Sequence, residues 1–472
     1  MSPQLREFSL LTCHYTIPDE AAPIQETISR WASATFPHPA IIVYPRTEFD
    51  IASAVAFAKQ NELHILPACG THGSFISVTD RTLYLDLKKY NSVLLDRVNQ
   101  VVTFGGGVNA GELMDRLSVE GYYTTIPDSN SVGMVGALLG GGTSHYTGLH
   151  GLMVDNVVSF RIITYNGYIL DVSASSTGAE LSLFRVLCGA GQGFGVIISA
   201  TMRIYQISSL NLTGGKAWVR TMVFPPSSLE QATEAFLALQ PVPDRMIAQL
   251  LFTRTASEAP SPGAPVVILY VWYLGPAEAA EVAASGLQDA ALIKRSLRNT
   301  TVMTPLPRLN DLRAHMDAHV GLKTMVAGRL KQHRASNIHA AFSRWAEVTD
   351  KFDDARGSIV FFTALDPTHA RDAGRAYEGQ LKLVEMSNRE RGAIVSQITF
   401  CHTEETMSQL KYFGQELIQL GRGPGCEART LPNNMTADTD LSEMFSDANL
   451  DFLKETKKRW DPQGVFWSPY RI

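Results

Sequence analysis

Four glycine-rich segments within the first two hundred residues constrain this chain more than any other feature. They read Cys69-Gly70-Thr71-His72-Gly73-Ser74, then Gly105-Gly106-Gly107, then the stretch 131–142, then Gly189-Ala190-Gly191-Gln192-Gly193-Phe194-Gly195-Val196. Glycine has no side chain to keep a backbone away from a neighbour, so such segments mark close approach to another strand or to a ligand. The stretch 131–142 carries no charged side chain and is suited to press against a large flat molecule. A phosphate-bearing cofactor has to be held by backbone N–H groups, helix ends or cations, and glycine turns supply the first of these.

The first segment closes a βαβ-like run, with an extended piece at 40–45, a helix at 50–60 and a second extended piece at 64–67. His72 therefore stands on a tight turn just past a strand, where an imidazole can meet a ligand edge-on. The fourth segment does not suit a nicotinamide cofactor. Its spacing is G-x-G-x-G-x-G, a strand-like Val196-Ile197-Ile198 follows it, and 212–218 offers no acidic ribose ligand. No glycine run leads into Gly-Lys-Ser/Thr, which excludes a P-loop.

Past Ile207 the pattern changes. Strands rich in β-branched and aromatic residues are predicted at 217–224, 246–253, 266–274, 358–364 and 394–400, alternating with amphipathic helices at 228–239, 277–291, 336–350 and 405–420. A last helix, 449–459, stops at Trp460-Asp461-Pro462 because proline disfavours helix in the residue before it. Asn109 fits an N-cap, with Glu112 at the capping-box position and Gly121 at the end of that helix.

The 472 residues, 45% hydrophobic and 18% charged, leave room for two folded domains. A net charge of −5 gives no basic footprint for nucleic acid. No lysine/arginine cluster suggests an anionic membrane surface, and no apolar run reaches membrane-spanning length. The amino-terminal residues lack the apolar core of a signal peptide, which makes a cytoplasmic location the expectation. Five scattered cysteines without a C-x-x-C pair argue against a disulfide framework and against a metal site.

Taken in order, these glycine segments, Pro45-Arg46-Thr47, Asp155-Asn156-Val157 and the tail Asp461-Pro462-Gln463-Gly464-Val465-Phe466 resemble the berberine-bridge-enzyme-like flavin oxidases of the vanillyl-alcohol-oxidase superfamily. The resemblance is tight over 35–207 and 445–472. It implies an α+β fold, with a two-subdomain PCMH-type FAD-binding domain over 1–207. A substrate domain over 208–444 would carry a large antiparallel sheet backed by helices, and 445–472 would return to the FAD domain. FAD is the implied cofactor. Its implied contacts are Cys69, Gly70, Thr71, His72, Gly73, Ser74, Gly133, Gly136, Gly140, Gly141, Gly195, Val196 and Asn433.

His72 stands where the family's Gly-Gly-His carries the flavin on a ring nitrogen, which implies a covalent bond to the flavin 8α-carbon. Thr71 replaces the family's second glycine, and Gly73 stands where serine is common. Many relatives add a second link from a cysteine. Here Ile126-Pro127-Asp128-Ser129-Asn130-Ser131 offers no thiol, so one bond is expected, and Cys69 is expected to be a small buried thiol. The family's Tyr-x-Asn reads Leu431-Pro432-Asn433, and leucine cannot accept a proton. Candidates for that task by position are His402, His145 and Tyr146, with Tyr123 behind them.

The resemblance further implies hydride transfer from a small organic substrate to flavin N5, with dioxygen as the electron acceptor, in natural-product biosynthesis. The loss of the tyrosine keeps open a flavoprotein-fold cyclase or isomerase. A flavin-free binding protein is the least favoured reading, since His72 and the glycine segments are retained.

Overall fold

The computed structural model describes residues 5–470 apart from 20, 23, 33–36, 257–260 and 377–381. The outer limits of the expected first domain and tail, 1–4 and 471–472, lie outside the described residues.

Strands Ile41–Val43 and His64–Ala68 flank Thr82–Asp86 in a four-stranded sheet, both running parallel to it. The expected strand–helix–strand run is present, but Thr82–Asp86 inserts between its two strands. Helix Glu48–Gln60 connects them and begins at a closed capping box: Asp50 N–H donates to Thr47 Oγ1 at 3.1 Å, and Thr47 N–H donates to Asp50 Oδ2 at 2.9 Å. Ile41, Ile42 and Val43 are all buried, as befits a parallel strand covered on both faces.

A five-stranded antiparallel sheet follows, in the order Val93–Asp96, Val101–Gly105, Val196–Arg203, Val157–Ile163, Ile169–Ser173. The segment after Gly195 is thus a strand, as its sequence predicts. Helix Ala110–Val119 is capped by Asn109, whose Oδ1 accepts from Glu112 N–H at 2.9 Å. The Glu112 side chain takes Arg116 at 2.6 Å. Gly121 follows with φ of +80°.

The tail returns to the first sheet. Ile65 N–H donates to the Val465 carbonyl at 2.7 Å, and Trp467 N–H donates to the Ile65 carbonyl at 2.9 Å. The reason for the Asp-Pro-Gln-Gly-Val-Phe spacing is local. Buried Asp461 accepts the N–H groups of Val465 at 2.8 Å and Phe466 at 3.1 Å, and pairs with Lys457 at 2.7 Å, so one carboxylate folds the whole turn.

Residues 216–401 build a seven-stranded antiparallel sheet in the order Arg298–Pro305, Lys216–Phe224, Pro265–Tyr273, Met246–Arg254, Ile359–Leu365, Ala393–Cys401, Leu322–Leu330. Register divides its residues between two faces. Gln249 lies opposite Thr363, Thr363 opposite Ile394, and Ile398 opposite Met325, so these share one face. The other face, with Leu250, Phe252, Phe362 and Val395, is buried against helices Leu229–Ala238, Ala335–Lys351 and Phe413–Arg422. Two predicted helices are broken: 277–291 becomes three short pieces, and 405–420 divides at Leu410–Tyr412. Among the described residues, no helix is long and apolar enough to cross a membrane.

Candidate active site

A cleft of about 390 Å³ lies between the glycine segments and the face of the large sheet that carries Gln249. Its first wall is mostly backbone. A Cβ added at Gly70 would stand 2.3 Å from both Gly133 N and the Ser131 carbonyl oxygen, so the His72 turn and the 131–133 segment touch main chain to main chain. At Gly136 an added Cβ would meet nothing within 4 Å, because that glycine faces the cleft. Tight contact behind and open space in front is a cradle for a flat cofactor, and by this test the residues fit FAD.

Asn433 fixes the end of that wall. Its Nδ2 donates to the Ala137 carbonyl at 2.9 Å, and its Oδ1 accepts from Gly142 N–H at 3.0 Å. A Cβ on Gly140 would lie 2.6 Å from the same amide. Gly140 and Gly141 seat Asn433 and Leu431 and do not line the cleft themselves, whereas Asn433 and Gly142 do. Leu431 is buried.

His72 lies at one end of the cleft. Its ring stacks on Trp31 with centroids 5.0 Å apart and planes 16° apart, and Nε2 is 2.6 Å from Ser131 Oγ. Burial, reinforced by His319 and Lys323, drives its pKa down to about 3 against the opposing pull of Asp128, so the imidazole is neutral near pH 7. Thr71 holds the turn at φ of +57°, where a β-branched residue is strained. Its hydroxyl donates to the Ser29 carbonyl at 3.0 Å, which offsets part of that strain. Gly73 accepts from Arg30 at 2.8 Å, and Ser74 anchors to Met325 N–H at 3.2 Å from behind the cleft. Cys69 is half-buried and lines the cleft, where the sequence predicts a buried thiol; its thiol points at the Val108 carbonyl at 3.6 Å, and burial raises its pKa to about 12. Gly195 lines the cleft, but strand alternation turns the Val196 side chain into the core and brings Ile197 to the cleft instead.

The opposite wall is made of side chains. Gln249, Phe361, Thr363, Ile394, Ser396 and Ile398 project from the sheet. A strap, the 3-10 segment Asn310–Met316 and Asp317 after it, then clasps the 127–131 loop. Asn310 Nδ2 donates to the Pro127 carbonyl at 3.1 Å, Arg313 pairs with Asp128 at 2.5 Å, and Asp317 accepts from Ser129 Oγ at 2.6 Å. The Arg313 guanidinium also donates to Gln249 Oε1 at 2.6 Å and lies 5.1 Å from the Trp272 ring centroid. Enclosure by protein works to raise the Asp128 pKa, but Arg313 and His145 outweigh it and hold the carboxyl below its usual range.

His145 does reach the cleft. It packs on Trp272 at 5.3 Å, and burial followed by the Arg313 charge lowers its pKa to about 4. Tyr146 does not reach it: the ring is buried beside Tyr123 at 4.8 Å, and Tyr123 bonds His150 at 2.9 Å, in an aromatic cluster apart from the cleft. His402 is also elsewhere. It has the parity of Ile394, Ser396 and Ile398 but stands four residues beyond the last of them, roughly 13 Å further at 3.3 Å per residue. There Asp354 takes its backbone N–H at 2.7 Å and the imidazole is exposed.

Sequence reasoning missed Trp31, Gln249, Asp128 and Arg313. A carboxylate directly before the position of the missing thiol was a usable signal for Asp128. Arg313 lies 185 residues away in a strap without periodicity, and no local pattern announces it.

Comparison with known proteins agrees with this geometry. Residues 39–173 match the model of an FAD binding domain. The chain is 30% identical over 464 residues to the FAD-linked oxidoreductase hasG of Aspergillus fumigatus, covering 95% of this chain and 94% of that protein. It is 29% identical over 457 residues to the FAD-linked oxidoreductase OXR1 of Pyricularia oryzae, covering 94% and 85%. Among solved structures it shares the fold of a BBE-like 1 protein from Physcomitrella patens, with a TM-score of 0.77, 17% identity and coverage of 98% and 97%. It also shares the fold of berberine bridge enzyme from Eschscholzia californica, with a TM-score of 0.75, 15% identity and coverage of 97% and 96%. The chain belongs to the FAD-linked oxidoreductases and has the fold of berberine-bridge-enzyme-like proteins.

Proposed function

We propose that this oxidoreductase is a cytoplasmic oxidase of natural-product biosynthesis that carries its FAD covalently on His72 and uses dioxygen as acceptor. The observation that carries the reading is His72 itself, a neutral imidazole at the end of the cradle. In the tautomer whose Nε2–H donates to Ser131 Oγ, 2.6 Å away, the lone pair resides on Nδ1, the nitrogen that would bond the flavin. FAD bound in the cleft supplies a two-electron acceptor whose reoxidation by dioxygen yields peroxide. Trp31 fixes the plane of the His72 ring, Asn433 holds the glycine wall, and the apolar side chains of the sheet exclude water from the reacting centre. Ser129 is bonded to Asp317 and supplies no thiol, which supports a single covalent link. A redox-neutral cyclase is not favoured, because the relatives named above are FAD-linked oxidoreductases.

Stopped-flow mixing of the photoreduced enzyme with air-saturated buffer tests the acceptor. The flavin absorbance is expected to recover within seconds as oxygen is consumed. A flavin that stays bleached for many minutes in air would make it a dehydrogenase.

A further inference from the structure

The His72 end of the cleft is assembled from pieces of chain far apart in sequence. Trp31 comes from the amino-terminal segment, Met316 and His319 from the strap and the residues after it, and Lys323 from strand Leu322–Leu330. Lys323 lies opposite Phe400 and two residues before Met325, which puts it on the cleft face of the large sheet. Trp31 is held at its edge and over its ring. The indole N–H donates to the Met316 carbonyl at 2.6 Å, and Lys323 Nζ stands 4.9 Å from the ring centroid. The same indole stacks on His72, which also meets His319 in a T-shaped contact at 5.8 Å. His319 Nδ1 is in turn 2.9 Å from Ser29 Oγ. Lys323 is only 7% exposed, and among the described residues its ammonium has the Ala318 carbonyl and the rings of Trp31 and Phe400 for partners rather than a carboxylate. Burying an ammonium in this way costs more than burying an apolar side chain of its length. The cost falls at the spot that fixes Trp31 against His72.

We propose that Lys323 is a positioning residue for the covalent attachment of the flavin: its ammonium pins Trp31, and Trp31 holds the His72 ring at the angle from which Nδ1 reaches the 8α-carbon. In that reaction Nδ1 forms a bond to the carbon, and a C–H bond there breaks and gives up its proton. The electron pair left behind reduces the flavin by two electrons, which dioxygen removes as peroxide. Lys323 takes part in none of these bonds and acts through Trp31. The titratable and charged groups facing Lys323 are Asp317 and His319 from the strap and His72 from the turn, with Asp128 and Lys88 acting on the two histidines. The neighbouring strand contributes the uncharged Phe400, with the exposed His402 beyond it. Burial lowers the Lys323 pKa to about 8 against the pull of Asp317, whereas His72, at about 3, and His319, also lowered, are neutral there. The pin is therefore present below about pH 8 and lost as pH rises through that value. The inference rests on reading His72 as the attachment point and deepens that reading.

The test uses the full chain produced under riboflavin starvation, then given FAD in air across neutral and alkaline pH. Covalent flavin is scored over time by its fluorescence in the acid-denatured protein. Wild type is expected to attach flavin at a rate that falls as pH rises through about 8. Lys323→Met is expected to slow attachment about ten- to thirtyfold at neutral pH, the effect of losing a desolvated cation–π contact, and to lack that alkaline fall. Lys323→Arg carries a cation that does not titrate in this range, so it is expected to attach flavin at the wild-type neutral rate and to keep that rate into alkali. Should Lys323→Met fail to fold, the wild-type and Lys323→Arg profiles still decide the matter. Attachment by Lys323→Met at the wild-type rate, a wild-type profile without the fall, or a Lys323→Arg protein as slow as Lys323→Met would each overturn the proposal while leaving His72 as the attachment point. A wild type that never attaches flavin at any pH would sink the covalent reading itself, and this proposal with it.

Discussion

The two walls of the cleft recognise their ligands by different means. The glycine wall offers main chain and is closed from behind: Gly70 lies against Gly133 and Ser131, and Asn433 is locked to Ala137 and Gly142. The sheet wall offers alternating side chains on a ladder whose back face is packed with helices. A backbone wall specifies one shape and tolerates few substitutions. A side-chain wall can change residue by residue while the ladder stays intact. The cofactor side is therefore rigid by construction, and the substrate side is where one member of the family can diverge from another.

The sharpest way to break that contrast is Gly70→Ala. A methyl 2.3 Å from two backbone atoms forces the His72 turn off the 131–133 segment, an overpacking cost of about 3 kcal/mol or more. Thermal denaturation is expected to show a large loss of stability together with lost flavin. A variant that melts like wild type with full flavin would mean the wall yields. Ser396→Ala, on the sheet wall, is expected to stay within about 0.5 kcal/mol of wild type.

Acid is the next largest perturbation, and it probes histidines on both sides of the sheet. His145, His150 and His333 all have pKa values lowered to about 4, with burial the first cause for each. The unfolded chain binds these protons near pH 6.5 and the folded chain does not. Stability is therefore complete above the unfolded pKa and falls as pH drops from about 6.5 toward 4. Urea midpoints measured across that range should decline steadily toward acid, and a flat profile would contradict buried neutral histidines.

Smaller effects sharpen the account. Thr71→Gly removes left-handed strain of about 1–2 kcal/mol. It also loses the bond to Ser29 and adds freedom to the unfolded chain, each worth about 1 kcal/mol. The net change in a melting experiment should lie within about 1 kcal/mol of zero. His402→Ala is expected to leave the rate of flavin reduction unchanged, since that imidazole stands exposed beyond the sheet. A hundredfold slowing would return it to the site.

Much of this was legible in the chain. The order of glycine segments pointed to the cofactor wall, and five strands of the large sheet follow from their β-branched and aromatic content. Leu322–Leu330 escaped notice because Lys323, Gly328 and Arg329 interrupt its pattern, and Arg298–Pro305 because it is an exposed edge strand. His402 misled for a different reason. Parity along a strand is visible in sequence, but the length of strand that faces the cleft depends on where the other wall ends. Asp128 and Arg313 meet only through the strap, so their partnership belongs to the fold.

The central claim is that the glycine wall delivers FAD to His72 for a bond. Acid precipitation of the purified, denatured enzyme tests it directly. The account predicts a yellow pellet from wild type, and from His72→Ala a colourless pellet with the flavin in the supernatant. A colourless wild-type pellet with all the FAD in solution would contradict it.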